Sequence, residues 1–265
     1  TDSYWRLWTN KENYDYSELS EGVVNLFKRS LLVLRTQIDN GGAIIAANDT
    51  DITQFNRDTY SYMWPRDGAL VAHALDLARH PSLSLDFFRF CRPLITKEGY
   101  FLHKYNPDGS VGSSWHPWMA NGKEQLPIQE DETALVLWSL WKHFDRHRDV
   151  ERIKPFYRDV VIRAGTFLAE YLDPVTGLPG ESYDLWEERR GIHAWSVGAV
   201  YGGLLACANF AALFGELAES EQFVTAANAI KQACDTHLFR PEYNRFARML
   251  SIDDNGVVQP DMNID

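Results

Sequence analysis

The 265-residue sequence is poor in cysteine and in positive charge, and each shortage excludes a class of protein. Its three cysteines, Cys91, Cys207 and Cys234, do not have the spacing of a metal site. Each lies in a segment of helical character, so we expect buried free thiols. Only 26 Lys and Arg stand against 37 Asp and Glu, and the formal net charge of -11 argues against nucleic acid and anionic membranes as partners. A neutral or cationic ligand fits this charge better.

The sequence also lacks the signals of secretion, membrane insertion and cofactor binding. Residues 1–10 do not have the charged-then-apolar layout of a signal peptide, and we count no apolar run of the roughly 18 residues that a membrane span needs. We therefore expect a cytoplasmic protein with no membrane partner. No Gly-rich phosphate loop or Ser nucleophile motif is present, and His103, His116 and His193 have no partner at metal-ligand spacing. We expect neither a metal nor another cofactor.

Aromatic residues, by contrast, are abundant. The chain has nine Trp, twelve Tyr and fourteen Phe, more than a core of this size requires. Some of these rings are therefore expected to line a surface that binds flat, partly apolar faces, such as those of sugar rings.

Residues 182–191, SYDLWEERRG, combine aromatic and charged side chains in an unusual way. The adjacent carboxylates Glu187 and Glu188 directly follow the indole of Trp186 and precede two arginines. Cleavage of a glycosidic bond needs such groups: a carboxylic acid beside an apolar neighbour, and an aromatic face for a sugar ring. The alternative is a charged loop that caps the helix predicted after it.

A repeat organises the helices. Apolar helices are predicted from Ala69, Ala134 and Ala199, at equal intervals of 65 residues, and an amphipathic helix precedes the second and third. This alternation predicts an inner and an outer ring of paired helices, with the inner helices parallel. The loops before the inner helices, residues 64–67, 129–131 and 186–188, would then meet at one cleft.

Chain length limits this ring. Six helix pairs of about 65 residues need roughly 390 residues, and about four units are present. The ring is therefore either smaller than six pairs or incomplete. Residues 1–19, with irregularly spaced aromatics and no predicted regular element, are interpreted as a linker or domain junction. Residues 20–265 are interpreted as the N-terminal part of the helical domain.

Three motifs together resemble one enzyme family. Residues 60–67 (YSYMWPRD), 126–135 (LPIQEDETAL) and 183–188 (YDLWEE) are similar, in this order, to motifs of the glucoamylase-type glycoside hydrolases of family fifteen, particularly the bacterial members. The similarity extends over about residues 4–250. Each motif alone is weak, whereas the combination is specific.

The resemblance implies an all-α fold, an (α/α)6 toroid or barrel that is incomplete here, with about four of six helix pairs, short hairpins and long loops. It implies removal of glucose from the non-reducing ends of α-glucans with inversion at the anomeric carbon, and Glu187 as the general acid. The implied substrates are α-linked glucans, maltooligosaccharides or α-glucosides such as trehalose. The residues implied to bind the sugar are Trp64, Arg66, Asp67, Leu185, Trp186 and Glu188. Linkage specificity and oligomeric state are not predicted.

Within this resemblance Arg66 and Asp67 grip the terminal glucose and Glu188 holds sugar hydroxyls, while the tryptophans pack on the ring and Leu185 offers backbone polar groups. Physical reasoning from the residues alone does not choose between Glu187 and Glu188 as the acid. In the family a second carboxylate, the base, comes from a late loop of the barrel, and this chain ends before it. Bacterial members commonly carry an N-terminal β-sandwich domain, of which only a linker is recognised here.

Three other interpretations remain open. Arg66 and Asp67 could be a surface Arg and a helix cap, and residues 130–132 an acidic helix start. The polypeptide could be a truncated, non-catalytic sugar-binding fragment of the same fold. An α/α toroid with another role, such as a lyase, an isomerase or a scaffold, is the third, although paired glutamates after Trp186 count against it.

Overall fold

The computed structural model describes residues 2–11, 14–48, 60–113, 117–120, 122–253 and 255–263. Most of these residues are helical. The helices are α1 (Asp2–Thr9), α2 (Glu21–Thr36), α3 (Pro65–Leu77), α4 (Pro81–Cys91), α5 (Glu130–His147), α6 (Val150–Phe156), α7 (Arg163–Glu170), α8 (Ala194–Leu213) and α9 (Leu217–His237).

The three predicted apolar helices are α3, α5 and α8, and each begins four or five residues earlier than predicted. Pro65 occupies the first turn of α3, where proline is favoured, and three acidic residues form the first turn of α5. Starts at Pro65, Glu130 and Ala194 keep intervals of 65 and 64 residues. The repeat was therefore correctly located, although the apolar pattern marked only the buried part of each helix.

These three helices form the inner layer. Helix α5 packs between α3 and α8, while α4 packs on α3 and α9 packs on α8. Helix α7, the third outer helix, packs on both α5 and α8. The described helices thus give three inner and outer pairs, with α1 and α2 in addition, and they do not close a ring. One apolar core runs through α3 to α9.

Helix α8 corrects one expectation. Its 20 residues carry no charge, so the statement that no apolar run reaches 18 residues was wrong. Among the described helices, α8 is long and apolar enough to span a membrane by length and composition, yet 56% of its most apolar window is buried against the rest of the chain. Its close packing on α5 explains the composition: a Cβ on Gly203 would lie 3.0 Å from the Cα of Ala134. A small residue in α8, Gly203, thus permits the close contact with α5.

The amphipathic segment predicted over residues 150–171 is helical but interrupted. A π-helical segment, Tyr157–Ile162, separates α6 from α7. Pro155 lies inside α6, where it removes one helical hydrogen bond, which accounts for the change in winding directly after it.

The prediction that the N-terminal segment has no regular element was wrong. Residues 2–9 form α1, in which Asp2 pairs with Arg6 at 3.1 Å. The ring of Trp8 stacks on His80 at 4.6 Å between ring centroids. Tertiary contact of this kind orders a short helix whose own pattern is too weak to predict it. The thiols are as expected except that Cys234 is only partly buried.

Short strands support the loops. The order β3-β4-β7-β8 forms an antiparallel sheet, and β1-β2 and β5-β6 form two hairpins. Strand β4 leads directly into α8, so the sheet fixes the turn that precedes this inner helix. The strands are β1 (Met119–Ala120), β2 (Lys123–Glu124), β3 (Ser182–Tyr183), β4 (Arg190–His193), β5 (Phe239–Arg240), β6 (Arg245–Phe246), β7 (Met249–Ile252) and β8 (Val258–Asp261).

Candidate active site

The three clusters that precede the inner helices lie together, as the repeat predicted. Arg66 is in the first turn of α3, and its guanidinium contacts Gln129, the residue before α5. The amide of Gln129 donates in turn to the carbonyl oxygen of Asp184, in the turn between β3 and β4 (3.0 Å). Residues far apart in sequence therefore form one continuous hydrogen-bonded wall.

Arg66 is buried and held by acidic groups. Its Nη1 lies 3.3 Å from Oδ2 of Asp131 and 3.4 Å from Oε1 of Glu132, and its backbone N–H donates to Glu132. Burial alone lowers the pKa of the Arg66 guanidinium, but the charges of Glu132, Asp131 and Asp67 more than reverse this, and the net pKa is raised. Arg66 is thus a fixed cation and not the surface arginine of the alternative interpretation.

The acidic start of α5 is internal rather than solvated. Asp131 accepts the indole N–H of Trp195 at 2.6 Å in addition to its contact with Arg66. Burial raises the pKa of Glu132 well above its usual value, and Arg66 partly opposes this rise. Burial also raises the pKa of Glu130 to about 7. The carboxyl groups of Asp131 and Glu132 hold the Arg66 guanidinium in place, and that of Asp131 also holds the Trp195 indole.

Asp184 organises the turn that carries the two candidate glutamates. Its Oδ1 accepts the backbone N–H groups of Glu188 (2.9 Å) and Arg189 (3.3 Å), and its carbonyl oxygen accepts that of Glu187 (2.8 Å). Its other carboxylate oxygen lies 3.1 Å from Nη2 of Arg248. The side chain is therefore saturated with partners that fix the backbone of residues 184–189.

This turn holds Glu187 in a left-handed conformation, with φ of +62°. A residue with a Cβ adopts this conformation at a cost of about 1–2 kcal/mol, and such strain concentrates at functional sites. Oε1 of Glu187 lies 2.9 Å from Nε2 of His103. The other oxygen, Oε2, is buried and has no hydrogen-bond partner among the described residues.

His103 connects Glu187 to Trp64. The indole N–H of Trp64, which can only donate, lies 3.3 Å from the same Nε2 atom. Nδ1 of His103 faces Glu132, with 3.8 Å between Nδ1 and Oε1. His103 thus lies against Trp64, Glu132 and Glu187 and holds the Glu187 carboxyl group in place.

The other predicted site residues divide into buried and exposed groups. Trp64 is buried, and Lys104 lies over its ring at 5.3 Å. The Asp67 side chain is 45% exposed and sits 3.5 Å from Nε of Arg66. Burial raises the pKa of Asp67, and Arg66 opposes that rise. Trp186 is 68% exposed, so its ring is available to a ligand.

Leu185 and Glu188 are exposed on the same turn, and the two glutamates differ clearly. Glu187 turns inward to His103, whereas the Glu188 side chain points to solvent. Arg189, one of the two arginines that follow the glutamates, has its Nη1 atom 3.1 Å from Oδ2 of Asp261. The structure thus distinguishes Glu187 from Glu188, between which physical reasoning from the residues alone did not choose.

A cavity of about 390 Å³ lies beside this turn, and a second of about 300 Å³ adjoins it. Leu185 and Trp186 line the first, and Trp195 lines both. The wall of the first cavity is completed by residues near the C-terminal end of the chain: Arg245, Phe246, Ala247, Arg248, Met262 and Asn263.

Sequence reasoning missed His103, Asp184 and Trp195 as parts of the site, and it placed Gln129 at the cleft without giving it a role. His103 was expected to be an interior or loop histidine, and it is buried, but its contact with Glu187 depends on a fold that no spacing reveals. His193, also expected to be interior, is buried beside the carbonyl oxygen of Ser182 at 3.1 Å. His116 lies outside the described residues.

Solved structures with the same arrangement of helices include two glucoamylases. A bacterial glucoamylase complexed with acarbose matches 98% of this chain, with a TM-score of 0.73 and 17% identity, and the match covers 38% of that chain. The glucoamylase from Saccharomycopsis fibuligera matches 83% of this chain and 50% of its own, with a TM-score of 0.64 and 17% identity. These similarities confirm the predicted fold class, an all-α (α/α)6 toroid, present here in part.

A curated relative supports the same assignment by sequence. An uncharacterized glycosyl hydrolase of Methanocaldococcus jannaschii is 25% identical over 253 residues, or 94% of this chain and 37% of that protein. The present chain thus spans half or less of the length of these three relatives. The family model of glycosyl hydrolases family 15 matches residues 117–262, more than half of the sequence. By this match, which includes the Glu187 turn, the chain belongs to glycosyl hydrolases family 15.

Proposed function

We propose that this chain is part of a hydrolase that releases glucose from the non-reducing ends of α-linked glucans or α-glucosides, with inversion, and that Glu187 is its general acid. The observation that carries the proposal is the state of the Glu187 carboxyl group. One oxygen is bonded to His103, and the other is buried without a partner among the described residues. A buried unsatisfied polar group in a strained turn is expected where a ligand supplies the missing partner.

The contacts of His103 support the orientation of the proposed acid. A general acid must carry a proton until the glycosidic oxygen takes it as the bond from C1 breaks. Nε2 of His103 lies 2.9 Å from Oε1 of Glu187 and 3.3 Å from the indole nitrogen of Trp64, so the carboxyl group is held in one orientation. His103 therefore acts as a positioning residue for Glu187.

The remaining predicted residues supply a sugar site around this acid. Arg66 is locked by Asp131 and Glu132, so it can donate to hydroxyl groups without losing side-chain entropy. The Asp67 side chain is 45% exposed and lies beside Arg66, so its carboxylate can accept hydrogen bonds from sugar hydroxyl groups. The other proposed sugar contacts are the rings of Trp64 and Trp186, the backbone of Leu185 and the carboxylate of Glu188.

Inversion requires a second carboxylate about 6.5–9.5 Å from the acid, which removes a proton from the attacking water. Water adds to C1 opposite the departing oxygen, so an α-linked glucoside yields β-glucose. We place this base in the part of the family fold that lies outside these 265 residues, because the relatives are at least about twice as long.

The test is release of glucose from three substrates that differ in linkage. The full-length protein, which holds this chain together with the proposed base, is incubated with maltooligosaccharides, isomaltooligosaccharides and trehalose, and the released glucose and its anomer are followed by proton NMR. We expect β-glucose, and a loss of at least a hundredfold in rate for Glu187→Gln because the general acid is removed. Glu170→Gln, an exposed glutamate at the end of α7, is the matched control and should retain the parent rate.

Each outcome separates the proposal from the alternative. Sugar binding without turnover, measured by calorimetry with the same oligosaccharides, would support the non-catalytic sugar-binding fragment. Turnover that persists in Glu187→Gln would contradict the role of this residue. Release of α-glucose from the non-reducing end of the oligosaccharides, or of two α-glucose molecules from trehalose, would contradict inversion.

A further inference from the structure

A second cluster of ligand-type side chains lies at the opposite ends of α3 and α5 from the candidate active site. Asp76 is in the last turn of α3, and His143 and His147 are in the last two turns of α5. The 18 residues of α5 rise about 27 Å, so this cluster takes no part in the sugar site. Asp76 and His143 are buried, whereas the His147 side chain is 26% exposed.

The spacing of the two histidines places both imidazoles on one face of α5. Residues four apart on a helix are neighbours, and two histidines at this spacing are the arrangement by which helices present nitrogen ligands to zinc. Asp76 reaches the same point from the adjacent helix α3, which packs directly on α5. Three ligand-type side chains from two helices thus converge.

Their atoms are close to the separations of a zinc coordination sphere. Nδ1 of His143 lies 2.9 Å from Oδ1 of Asp76, and Nε2 of His147 lies 3.3 Å from the same oxygen. All three ligand atoms lie within 4.8 Å of one another. Ligand atoms about 2.0–2.2 Å from a tetrahedral ion are roughly 3.3–3.6 Å apart, so modest side-chain shifts would admit the ion.

Some charges around this cluster favour the binding of a cation, and others oppose it. The C-terminal ends of α3 and α5 carry partial negative charge, which adds to the charge of Asp76 in attracting a cation. A cavity of about 470 Å³ opens beside Asp76 and His147. Its cationic lining opposes a metal ion, but Arg152, 56% exposed, is paired with Asp149 at 2.9 Å and is screened by solvent. The cationic residues of this lining are Lys11, Arg79, Arg146 and Arg152.

We propose that Asp76, His143 and His147 form a binding site for one zinc ion, with water from the adjoining cavity as the fourth ligand. Two imidazoles and a carboxylate with one open position are ligands that Zn²⁺ accepts in tetrahedral geometry. The ion would tie the C-terminal ends of two neighbouring inner helices together. Because these residues lie apart from Glu187, the proposal stands independently of the proposed function.

The experiment measures zinc binding and its effect on stability. The tag-free chain is treated with a chelator, then titrated with zinc sulfate at pH 7.5 by calorimetry, and its Tm is measured with and without zinc. We expect one ion per chain and an increase in Tm, because an ion that binds only the folded state stabilises it. His147→Ala should weaken binding at least tenfold and abolish the increase in Tm.

The controls keep this test decisive. The partly exposed His147 is the ligand whose replacement perturbs the core least, and Asp76→Asn, which preserves side-chain volume, should weaken binding as well. His237→Ala changes another histidine in the last turn of a helix and should bind zinc as the parent does. Replacing zinc with cobalt(II) should give visible absorption without a thiolate charge-transfer band, which excludes Cys234 as the ligand.

Two results would overturn the proposal. One is no stoichiometric zinc binding by the parent chain, and the other is unchanged affinity in both His147→Ala and Asp76→Asn. Either would mean that the three side chains only hydrogen-bond to one another, with Asp76 accepting from both imidazoles.

Discussion

Asp184 shows how a single short carboxylate can fix the turn that carries the proposed acid. An aspartate oxygen reaches backbone N–H groups a few residues ahead of it, a contact that a longer glutamate does not make as readily. In this chain those N–H groups belong to Glu188 and Arg189, and the remaining oxygen pairs with Arg248. The position of Glu187 is therefore determined by a residue three places before it.

Replacing Asp184 with Asn should destabilise the chain measurably. The amide oxygen can still accept the backbone N–H groups, but it cannot balance the charge of Arg248 in a buried setting. We expect the free energy of unfolding to fall by about 2–4 kcal/mol, as when one partner of a buried ion pair is removed. Urea denaturation followed by circular dichroism measures this change.

Asp253→Asn is the matched control. Asp253 also accepts two backbone N–H groups, from Asn255 and Val257, but it is exposed. Its replacement should cost less than about 1 kcal/mol. Equal losses in the two variants would contradict the view that the buried charge pair, rather than the turn itself, holds the Glu187 loop.

At the same scale, the sequence indicated the residues proposed to contact a ligand, but not all of those that support them. Glu187, Arg66 and Trp186 were singled out because their chemistry and motif context are visible in the chain. His103 gave no such signal, since its only distinction is proximity to Glu187 and Trp64. Proximity between distant residues is a property of the fold and leaves no local pattern.

At the scale of elements, the contact between α5 and α8 brings the backbones of two helices close together. Gly203 faces the backbone of Ala134, where a methyl group would lie 3.0 Å from both Cα and the carbonyl oxygen. At Gly198, on the same helix, a methyl group would meet no atom within 4 Å. The two glycines have the same helical conformation but different surroundings.

Alanine at these two positions should change stability in opposite directions. Gly203→Ala forces α5 and α8 apart and should lower the free energy of unfolding by about 1–3 kcal/mol. Gly198→Ala adds only helix propensity and should raise it by up to about 1 kcal/mol. Thermal and urea denaturation of both variants measure the effects, and a loss of stability in Gly198→Ala would show that packing at Gly203 is not the cause.

Helices with a long apolar face were predicted from the sequence. Helices that are stabilised mainly by tertiary contacts were not. The periodic residues of α3, α5 and α8 marked these helices, although not their first turns. Helix α1, residues 2–9, has too little pattern to be identified alone and depends on the stacking of Trp8 on His80. The π segment before α7 was equally hidden, because winding depends on packing as well as on Pro155.

The pH dependence of folding is a property of the whole molecule to which Glu130 contributes. Its pKa rises from 4.5 to about 7 in the folded state because it is buried, so the folded chain holds this proton more tightly than the unfolded chain. The free energy of unfolding should therefore fall as the pH rises from about 4.5 to 7, by on the order of 3 kcal/mol. Ser182 and Arg190 moderate the effect.

Glu130→Gln should remove this part of the pH dependence. A neutral amide in the same place has no proton to lose, so the variant should be more stable than the parent at pH 8 and similar at pH 4. Urea denaturation between pH 4 and 8 measures the slope. Glu221→Gln, an exposed substitution on α9, should follow the parent curve, and an unchanged slope in Glu130→Gln would contradict the assignment.

The arrangement of the whole molecule agrees with its share of the family fold. Three complete helix pairs, with α1 and α2 in addition, occupy a chain that spans 37% to 50% of the length of three relatives. The repeat interval had left open a smaller ring or an incomplete one, and the length of the relatives favours the incomplete ring. Its inner helices bring residues near 66, 130 and 187 to one wall, while their opposite ends bring Asp76 to the histidines of α5.

The sequence by itself determined the helical class and the 65-residue repeat, and it named the residues of the proposed site. These follow from local properties: apolar periodicity, turn chemistry and the clustering of carboxylates with aromatic rings. Only the tertiary structure decided that Glu187 rather than Glu188 turns inward, that Arg66 is held by buried acids, and that Asp76 meets His143 and His147. Each of these depends on distances between residues remote in sequence, which are set by the packing of helices rather than by any local pattern.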